Sequence, residues 1–336
     1  MGISWGLFGL FERFGGSYSK ALHDQLNLVK LAEELGFESV WIGEHHFNDF
    51  SICPSPSTLL GALVTSTHTI RLGTAGFLAP FYNPIRLAEE IALLDQLSCG
   101  RLNVGWAKGA FAPDFHHFHV DMNDLRQAMQ ETIRAVTLLL FSEEATFEGR
   151  FVSFQNVRIE PRPWQNPIPN FIATFASEES IRFAAENNFG LMASQSATVE
   201  ECRWMSDLYE SIQGSKPKMV IMRTLLIDPD DQRAKRRATV AADYFARAMR
   251  AASSFQKAPP WNPNLITELA REREAFFQGE KFVNAGIIGD AKRCRDLILE
   301  ITSLIPEVQI AFKPAGVTYE ENQHILRMFY EEVLCG

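Results

Sequence analysis

Hydrophobic and polar positions alternate along the chain with two different periods. Short apolar runs such as Ser39–Ile42 predict buried β-strands, and apolar residues recurring at helical spacing over Leu22–Leu35 predict a helix that Gly36 ends. The two patterns follow each other in turn through most of the sequence. This alternation predicts an α/β fold in which helices cover a largely parallel sheet.

About eight strand–helix units follow from these patterns, and such units close naturally into a (β/α)8 TIM barrel. A doubly wound open sheet is the alternative, although no G-x-G-x-x-G motif follows the first strand. The predicted strands are Ile3–Leu10, Ser39–Ile42, Ile70–Phe77, Leu102–Trp106, Phe171–Phe175, Leu191–Ser194, Met219–Ile227 and Val308–Lys313. The predicted helices are Leu22–Leu35, Pro84–Leu97, Asn123–Phe141, Glu178–Asn187, Glu200–Ile212, Gln232–Ser253, Ala291–Ile301 and Tyr319–Val333.

Two stretches depart from the alternation. Residues 146–159 place the turn pair Glu148-Gly149 between β-rich flanks, which predicts a hairpin inserted into the barrel. Residues 254–285 contain three prolines and no clear strand, so we expect a long loop insertion there. It is a candidate mobile lid, with disorder or a plain surface excursion as the alternatives. We expect one domain over residues 1–336.

Composition narrows the class of protein. The 336 residues carry a net charge of −9, and an acidic chain is not typical of nucleic-acid binders. The five cysteines are scattered without a C-x-x-C pair, which disfavours a zinc site and favours a reducing compartment. No apolar run approaches the roughly 20 residues that span a bilayer, and the N-terminal segment lacks the basic region of a signal peptide. We therefore expect a cytoplasmic enzyme.

The sharpest chemical signal is a histidine pair after the second predicted strand. Glu44, His45, His46 and Phe47 follow Ser39–Ile42 directly, and barrel enzymes place their chemistry at the carboxyl ends of strands. Adjacent side chains on a strand point to opposite faces, so only one histidine can face the barrel mouth. It could act as a general acid or base near neutral pH, or be a hydrogen-bonded structural histidine.

A second group of residues favours anion binding. Ser177 stands where it could cap the helix Glu178–Asn187, with Ser180 in its first turn, and Lys108 and Arg126 add positive charge. The free N–H groups of a helix N-terminus attract phosphate. An ordinary serine cap is the alternative.

Three further histidines, His116, His117 and His119, cluster after the fourth strand. His-x-His spacing on a strand can chelate a metal, but no carboxylate cluster completes a ligand shell. We interpret this segment as a polar loop and predict no metal site.

Four motifs together resemble the bacterial luciferase (alkanal monooxygenase) family, in particular its alpha subunit. They are Glu44–Phe47, Gly73–Gly76, Leu93–Arg101, and Asp121–Asn123 with Arg126. Their order and spacing match from about residue 36 to 135, and more weakly to the C-terminus. The most specific of them is Leu93–Arg101.

The resemblance implies roles for individual residues. His45 falls on the family's catalytic histidine, and Ala75-Gly76 on a non-proline cis peptide against the flavin ring. The expected cofactor-binding residues are Glu44, Ala75, Gly76, Ala107, Lys108, Ala110, Arg126, Ala176, Ser177 and Ser180, where Lys108, Arg126, Ser177 and Ser180 would contact the flavin phosphate. The expected substrate-pocket residues are Phe47, Trp106, Phe111 and Gln195. Core packing is the alternative for the aromatic ones.

The sequence also departs from the luciferase pattern. Lys108 stands where the family has an arginine, so a bidentate group becomes a point charge. Ala107 stands where the family has a reactive cysteine, and Ser196 lies near the position of a tryptophan. These changes leave oxygen activation possible but do not predict an aldehyde substrate or light emission.

The function that the resemblance implies is a two-component FMN-dependent monooxygenase. A separate flavin reductase would supply reduced FMN, O2 would be the co-substrate, and a C4a-peroxyflavin would oxidise a small organic substrate of carbonyl type while His45 assists proton transfer. The alternatives are an F420-dependent oxidoreductase and a non-catalytic flavin-binding partner subunit. We expect a homodimer that pairs through the helix Pro84–Leu97.

Overall fold

Eight parallel strands form a closed barrel in the computed structural model, which describes residues 3–13, 16–48, 50–253, 278–305 and 307–335. The strands are β1 Ser4–Gly9, β2 Ser39–Ile42, β3 Arg71–Thr74, β4 Phe77–Leu78, β5 Leu102–Ala107, β6 Ala145–Glu148, β7 Ser153–Val157, β8 Asn170–Thr174, β9 Gly190–Ala193, β10 Met219–Ile227, β11 Ile287–Gly289 and β12 Val308–Pro314. The α-helices are α1 Tyr18–Glu34, α2 Pro56–Val64, α3 Pro84–Leu97, α4 Ala112–His117, α5 Leu125–Phe141, α6 Glu178–Glu186, α7 Val199–Gln213, α8 Asp231–Ser253, α9 Gly279–Asn284, α10 Ala291–Leu304 and α11 Tyr319–Met328.

The order of strands around the barrel is β1, β2, β3, β5, β8, β9, β10 and β12, and the pairing of β12 with β1 completes the ring. Every pairing in it is parallel. The predicted (β/α)8 TIM barrel is therefore confirmed, and the open doubly wound sheet is excluded. The short strands β4 and β11 pair with β5 and β10 without entering the ring.

Side chains at alternate strand positions fill the barrel interior. Trp41, Phe171, Met192 and Met222 belong to one buried cluster, separate from the larger core between the strands and the helices. The Trp41 indole N–H donates to Gln309 Oε1 at 2.7 Å, which satisfies a polar group inside the barrel. The middle of the barrel is thus packed, and the cavities described below lie toward the carboxyl ends of its strands.

The predicted hairpin is present as the antiparallel pair β6–β7. The carboxylate of Glu131 on α5 accepts hydrogen bonds from the backbone N–H groups of Arg150, Phe151 and Val152 in its turn. The hairpin is therefore fastened to the helix that precedes it.

The prediction of a long insertion over residues 254–285 is wrong at its C-terminal end. Residues 254–277 lie outside the described part of the chain, so the candidate lid is not tested. The following residues form α9 and then β11. Phe282 of α9 is buried, with its ring 5.3 Å from that of Phe245 on α8. The helix has only six residues, too few for a periodic pattern to show.

Other element boundaries also differ from the prediction. The helix α1 begins four residues earlier than expected, because Ser17 caps it by accepting from the Lys20 N–H. The helix α2 was not predicted, and the expected strand Ile70–Phe77 is divided into β3 and β4. Within the described ranges, no helix has the length and apolar character required to cross a membrane.

Candidate active site

Two adjoining cavities open at the carboxyl ends of the barrel strands. The first, here called the polar cavity, has a volume of about 290 Å³ and is lined by Glu44, Lys108, Ser177 and Ser180 among others. The second, here called the apolar cavity, has a volume of about 140 Å³. Its lining includes the side chains of Phe8, Leu10, Met192, Met222, Phe245 and Phe282. The residues that line both cavities are His45, Ala75, Ala110, Phe111, Ala173 and Phe175.

His45 lies at the junction of the two cavities as an uncharged imidazole. Its backbone N–H donates to the Cys53 carbonyl at 3.0 Å, and its ring packs 4.8 Å from that of Phe50. Burial, and to a smaller extent His46, lowers the pKa of His45 to about 3. Its Nδ1 atom is buried and has no hydrogen-bond partner among the described residues. Such an atom is costly unless a ligand satisfies it.

The side chain of His46 points away from the cavities and is held by a carboxylate. Its Nε2 atom lies 3.0 Å from Glu44 Oε1, and it lines neither cavity. Glu44 Oε2 also accepts from the Leu78 N–H at 3.1 Å and from the Tyr82 hydroxyl at 2.9 Å. Burial raises the pKa of Glu44, and the hydrogen bonds from these partners oppose that effect. As expected for neighbouring positions, His45 lines the cavities, whereas His46 points away from them and pairs with Glu44.

A cis peptide bond joins Ala75 and Gly76 beneath the cavities, as the resemblance implied. A side chain at Gly76 would have its Cβ 2.6 Å from the carbonyl carbon of Gly105, so no larger residue fits. Thr74 Oγ1 donates to the Gly105 carbonyl at 2.9 Å and accepts from the Gly105 N–H at 2.8 Å. Two adjacent strands therefore meet closely where this bond forms the cavity floor.

The far end of the polar cavity lies at the N-terminus of α6. Ser177 caps this helix by accepting from the Ser180 N–H at 3.5 Å. Arg126 reaches across from α5, and its Nη1 atom lies 3.1 Å from Ser177 Oγ. This end thus combines two basic side chains, Lys108 and Arg126, with the N-terminus of a helix, whose dipole favours an anion.

The structure places most of the predicted site residues in or against the two cavities. The residues in the lining are Glu44, His45, Ala75, Gly76, Ala107, Lys108, Ala110, Phe111, Ser177, Ser180 and Gln195. Arg126 lies one contact away through Ser177. Ala176 has a φ angle of +57° and precedes the capping residue Ser177 in the turn between β8 and α6.

Two of the predicted substrate-pocket residues, Trp106 and Phe47, do not line either cavity. Trp106 is fully buried outside the barrel interior, because Gly105 takes the inward position and strand neighbours alternate. Its indole N–H donates to Asn170 Oδ1 at 2.7 Å. Phe47 is 61% exposed, with its ring 4.8 Å from that of His117, since the chain turns outward after His46.

Several cavity residues were missed by the sequence interpretation. Phe8, Met192 and Met222 occupy inward positions of predicted strands, so strand alternation could have identified them. Phe245 and Phe282 line the apolar cavity from the helices α8 and α9, and no sequence signal marks them.

The histidines after β5 are not arranged as a strand chelate. His116 and His117 belong to the helix α4. Within the described ranges, no group of three or more His, Cys, Asp or Glu side chains is placed to hold a metal ion.

A family model described as luciferase-like monooxygenase matches residues 3–306. The chain belongs to this family. The oxygenase component of the flavin-dependent trigonelline monooxygenase of Acinetobacter baylyi is 26% identical over 99% of this chain and 95% of that protein. The luciferase-like monooxygenase described here also superposes on the monooxygenase RslO1 from Streptomyces bottropensis with a TM-score of 0.83, at 27% identity and 99% coverage of both chains.

More distant solved structures share the fold of this luciferase-like monooxygenase. The oxygenating constituent of 3,6-diketocamphane monooxygenase from Pseudomonas putida, in complex with FMN, gives a TM-score of 0.79 at 19% identity, covering 99% of this chain and 98% of that one. An F420-dependent secondary alcohol dehydrogenase gives 0.75 at 16%, covering 99% of both chains. The prediction of a flavin-dependent, luciferase-like monooxygenase is thus confirmed at the level of the family, while both cofactor types occur on this fold.

Proposed function

We propose that this protein is the oxygenase of a two-component system, which binds reduced FMN from a separate reductase and uses O2 to oxygenate a small apolar carbonyl compound. The observation that carries the proposal is the shared wall of the two cavities. One cavity has an anion-binding end, the other is apolar, and a buried neutral histidine lies where they meet.

The donor groups of the polar cavity suit a phosphorylated flavin. Lys108 and the N-terminal turn of α6 would hold the phosphate, with Arg126 acting through Ser177. The Ala75–Gly76 segment forms the floor on which the flat ring would rest. The unsatisfied Nδ1 atom of His45 also points to a ligand that supplies a hydrogen-bond partner.

Reduced FMN, when bound, would supply the two electrons for the activation of O2. The protein's own groups then control protons and water. His45, neutral at pH 7, could pass a proton to or from a ligand at Nδ1, according to its tautomer, and its low pKa means that it would hold an added proton only briefly. The buried rings of Phe111 and Phe245 would limit the access of water to the cavities, which slows the loss of activated oxygen as hydrogen peroxide.

The apolar cavity indicates the class of substrate. None of the described residues that line it is an acid, lysine or arginine, so a charged substrate would lose its hydration without compensation. Gln195 is buried there, with Nε2 3.3 Å from Thr224 Oγ1, and can donate to a substrate carbonyl. A neutral, largely hydrocarbon ketone or aldehyde fits these groups.

Labelled oxygen tests this function directly. The enzyme, anaerobically loaded with reduced FMN and an apolar ketone, is mixed with ¹⁸O2, and the product is analysed by mass spectrometry. We expect one ¹⁸O atom per product molecule. Product without label, or turnover with reduced F420 but not with reduced FMN, would favour the F420-dependent alternative. A His45→Ala variant that turned over normally would remove the role proposed for His45.

The association of two copies is a further part of the proposal. Leu93 and Leu97 on α3 are 48% and 55% exposed, one helical turn apart. Their burial would favour a homodimer through this helix. Light scattering on the purified protein decides this, and a monomer at micromolar concentration would contradict it.

A further inference from the structure

The Glu179 carboxylate contacts Arg126 and Ser177, two of the residues expected to bind the flavin phosphate at the end of the polar cavity. Glu179 Oε2 is 2.6 Å from Arg126 Nη1 and 3.0 Å from Ser177 Oγ. Both partners are therefore already engaged by a negative charge that the chain itself provides. The Glu179 carboxylate satisfies the same donors that a phosphate oxygen would use.

The electrostatic surroundings keep this carboxylate ionised. Its own backbone N–H, and then Arg126 and Ser177, lower the pKa of Glu179 to about 2. The side chain nevertheless remains 66% exposed, so it can rotate into solvent without disturbing the core. A ligand anion could therefore displace the Glu179 carboxylate from Arg126 and Ser177 without disturbing the fold.

The neighbouring residue Glu178 provides an internal comparison. It is also in the first turn of α6, but its carboxylate pairs with Arg182 on the same helix at 2.7 Å. Removal of either glutamate changes the net charge of the first turn of α6 by the same amount, one elementary charge. Of these two glutamates, Glu179 is the one whose carboxylate contacts Arg126 and Ser177.

We propose that Glu179 is an internal competitor for the flavin phosphate, which weakens the binding of phosphorylated flavins and so speeds their exchange. This inference rests on the proposed function, because it needs the phosphate to bind at Arg126 and Ser177. A phosphate must displace the carboxylate from these donors and then remain near it as a like charge. An oxygenase that takes reduced flavin from a reductase and returns the oxidised form gains turnover from such loose binding.

Flavin binding to four proteins tests the idea. The dissociation constants of FMN and of riboflavin, which lacks the phosphate, are measured by fluorescence for the wild type and for Glu179→Ala, Glu178→Ala and Arg126→Met. We expect Glu179→Ala to bind FMN about 3- to 10-fold more tightly, as for loss of a partly exposed charge interaction, and to release it more slowly. Its affinity for riboflavin should stay the same, and Glu178→Ala should change neither constant by more than about 2-fold.

The outcomes separate this inference from the function on which it rests. If Arg126→Met weakens FMN but not riboflavin, the phosphate site is supported. Unchanged or weaker FMN binding by Glu179→Ala would then overturn only the competitor role, and weaker binding would indicate that Glu179 orients Arg126. If the wild type binds FMN no better than riboflavin and Arg126→Met changes neither, both the phosphate site and the role of Glu179 are wrong.

Discussion

Glu44 Oε1 lies 3.0 Å from His46 Nε2, and this contact fixes the loop that carries His45 to the cavities. The other oxygen of Glu44 holds the Leu78 N–H and the Tyr82 hydroxyl, beyond the cis peptide at Ala75–Gly76. One buried carboxylate therefore ties the histidine loop to the segment that forms the cavity floor.

Replacement of Glu44 should loosen both segments. Glu44→Ala leaves several buried donors without an acceptor, so we expect the free energy of unfolding to fall by about 2–4 kcal/mol, together with a loss of kcat. Tyr82→Phe removes one of these bonds and serves as the control, with an expected cost of about 1 kcal/mol. Chemical denaturation measures both, and a cost below about 1 kcal/mol for Glu44→Ala would contradict this role.

The sequence predicted the barrel because its strands and helices are regular. It also indicated several residues of the polar cavity lining, because these residues stand directly after strands. Ser177 and Lys108 could be placed in this way, since the carboxyl ends of parallel strands meet at one face of a barrel. Trp106 was expected in the pocket with core packing as the alternative, and it lies outside both cavities because its strand neighbour Gly105 takes the inward position.

Other parts of the site depend on tertiary packing that periodicity does not report. Phe245 and Phe282 reach the apolar cavity from α8 and α9, and their rings lie 5.3 Å apart. The contact between Glu179 and Arg126 joins residues of two helices that are far apart in sequence. Such pairs become visible only when the helices are positioned around the barrel.

His45 should remain neutral well below the usual range of histidine. Its pKa of about 3, lowered by burial, predicts an imidazole that stays uncharged from pH 7 down to about pH 4. Because the unfolded chain would bind a proton near pH 6.5, His45 should also make the wild type lose stability as the pH falls below that value. NMR of the ¹⁵N-labelled imidazole follows the titration, with His45→Phe identifying the signal. Titration of the His45 signal near pH 6.5 in the flavin-free protein would contradict the conclusion that the imidazole is buried and neutral.

A buried ion pair behind the apolar cavity should be important for stability. Lys313 Nζ lies 2.9 Å from Glu12 Oε2 and 5.2 Å from the ring centroid of Phe245. Both charged side chains are less than 10% exposed. Lys313→Met would leave the carboxylate buried without its partner, and we expect a loss of about 3–5 kcal/mol. The double variant Glu12→Gln/Lys313→Met should recover much of it, and equal losses in the single and double variants would argue against the pairing.

Close strand contact beside the cavity floor predicts a strict requirement for glycine. A Cβ at Gly105 would overlap the Thr74 carbonyl oxygen and the side chain of Met192. We expect Gly105→Ala to cost about 1–3 kcal/mol or to prevent folding. Gly61, in the helix α2, is the matched control, because a Cβ there meets nothing within 4 Å and should stabilise the helix by about 0.5–1 kcal/mol. Thermal unfolding of the two variants should shift in opposite directions.

The central claim is that the two cavities hold reduced FMN and direct its reaction with O2. The most direct measurement mixes anaerobic protein and reduced FMN with O2 in a stopped-flow instrument and follows oxidised FMN and hydrogen peroxide. With protein in excess, we predict that both appear more slowly than from free reduced FMN, and that His45→Ala or loss of the Lys108 charge shortens the delay. Oxidation of FMN at the rate seen without protein, in the wild type and in both variants, would contradict the account.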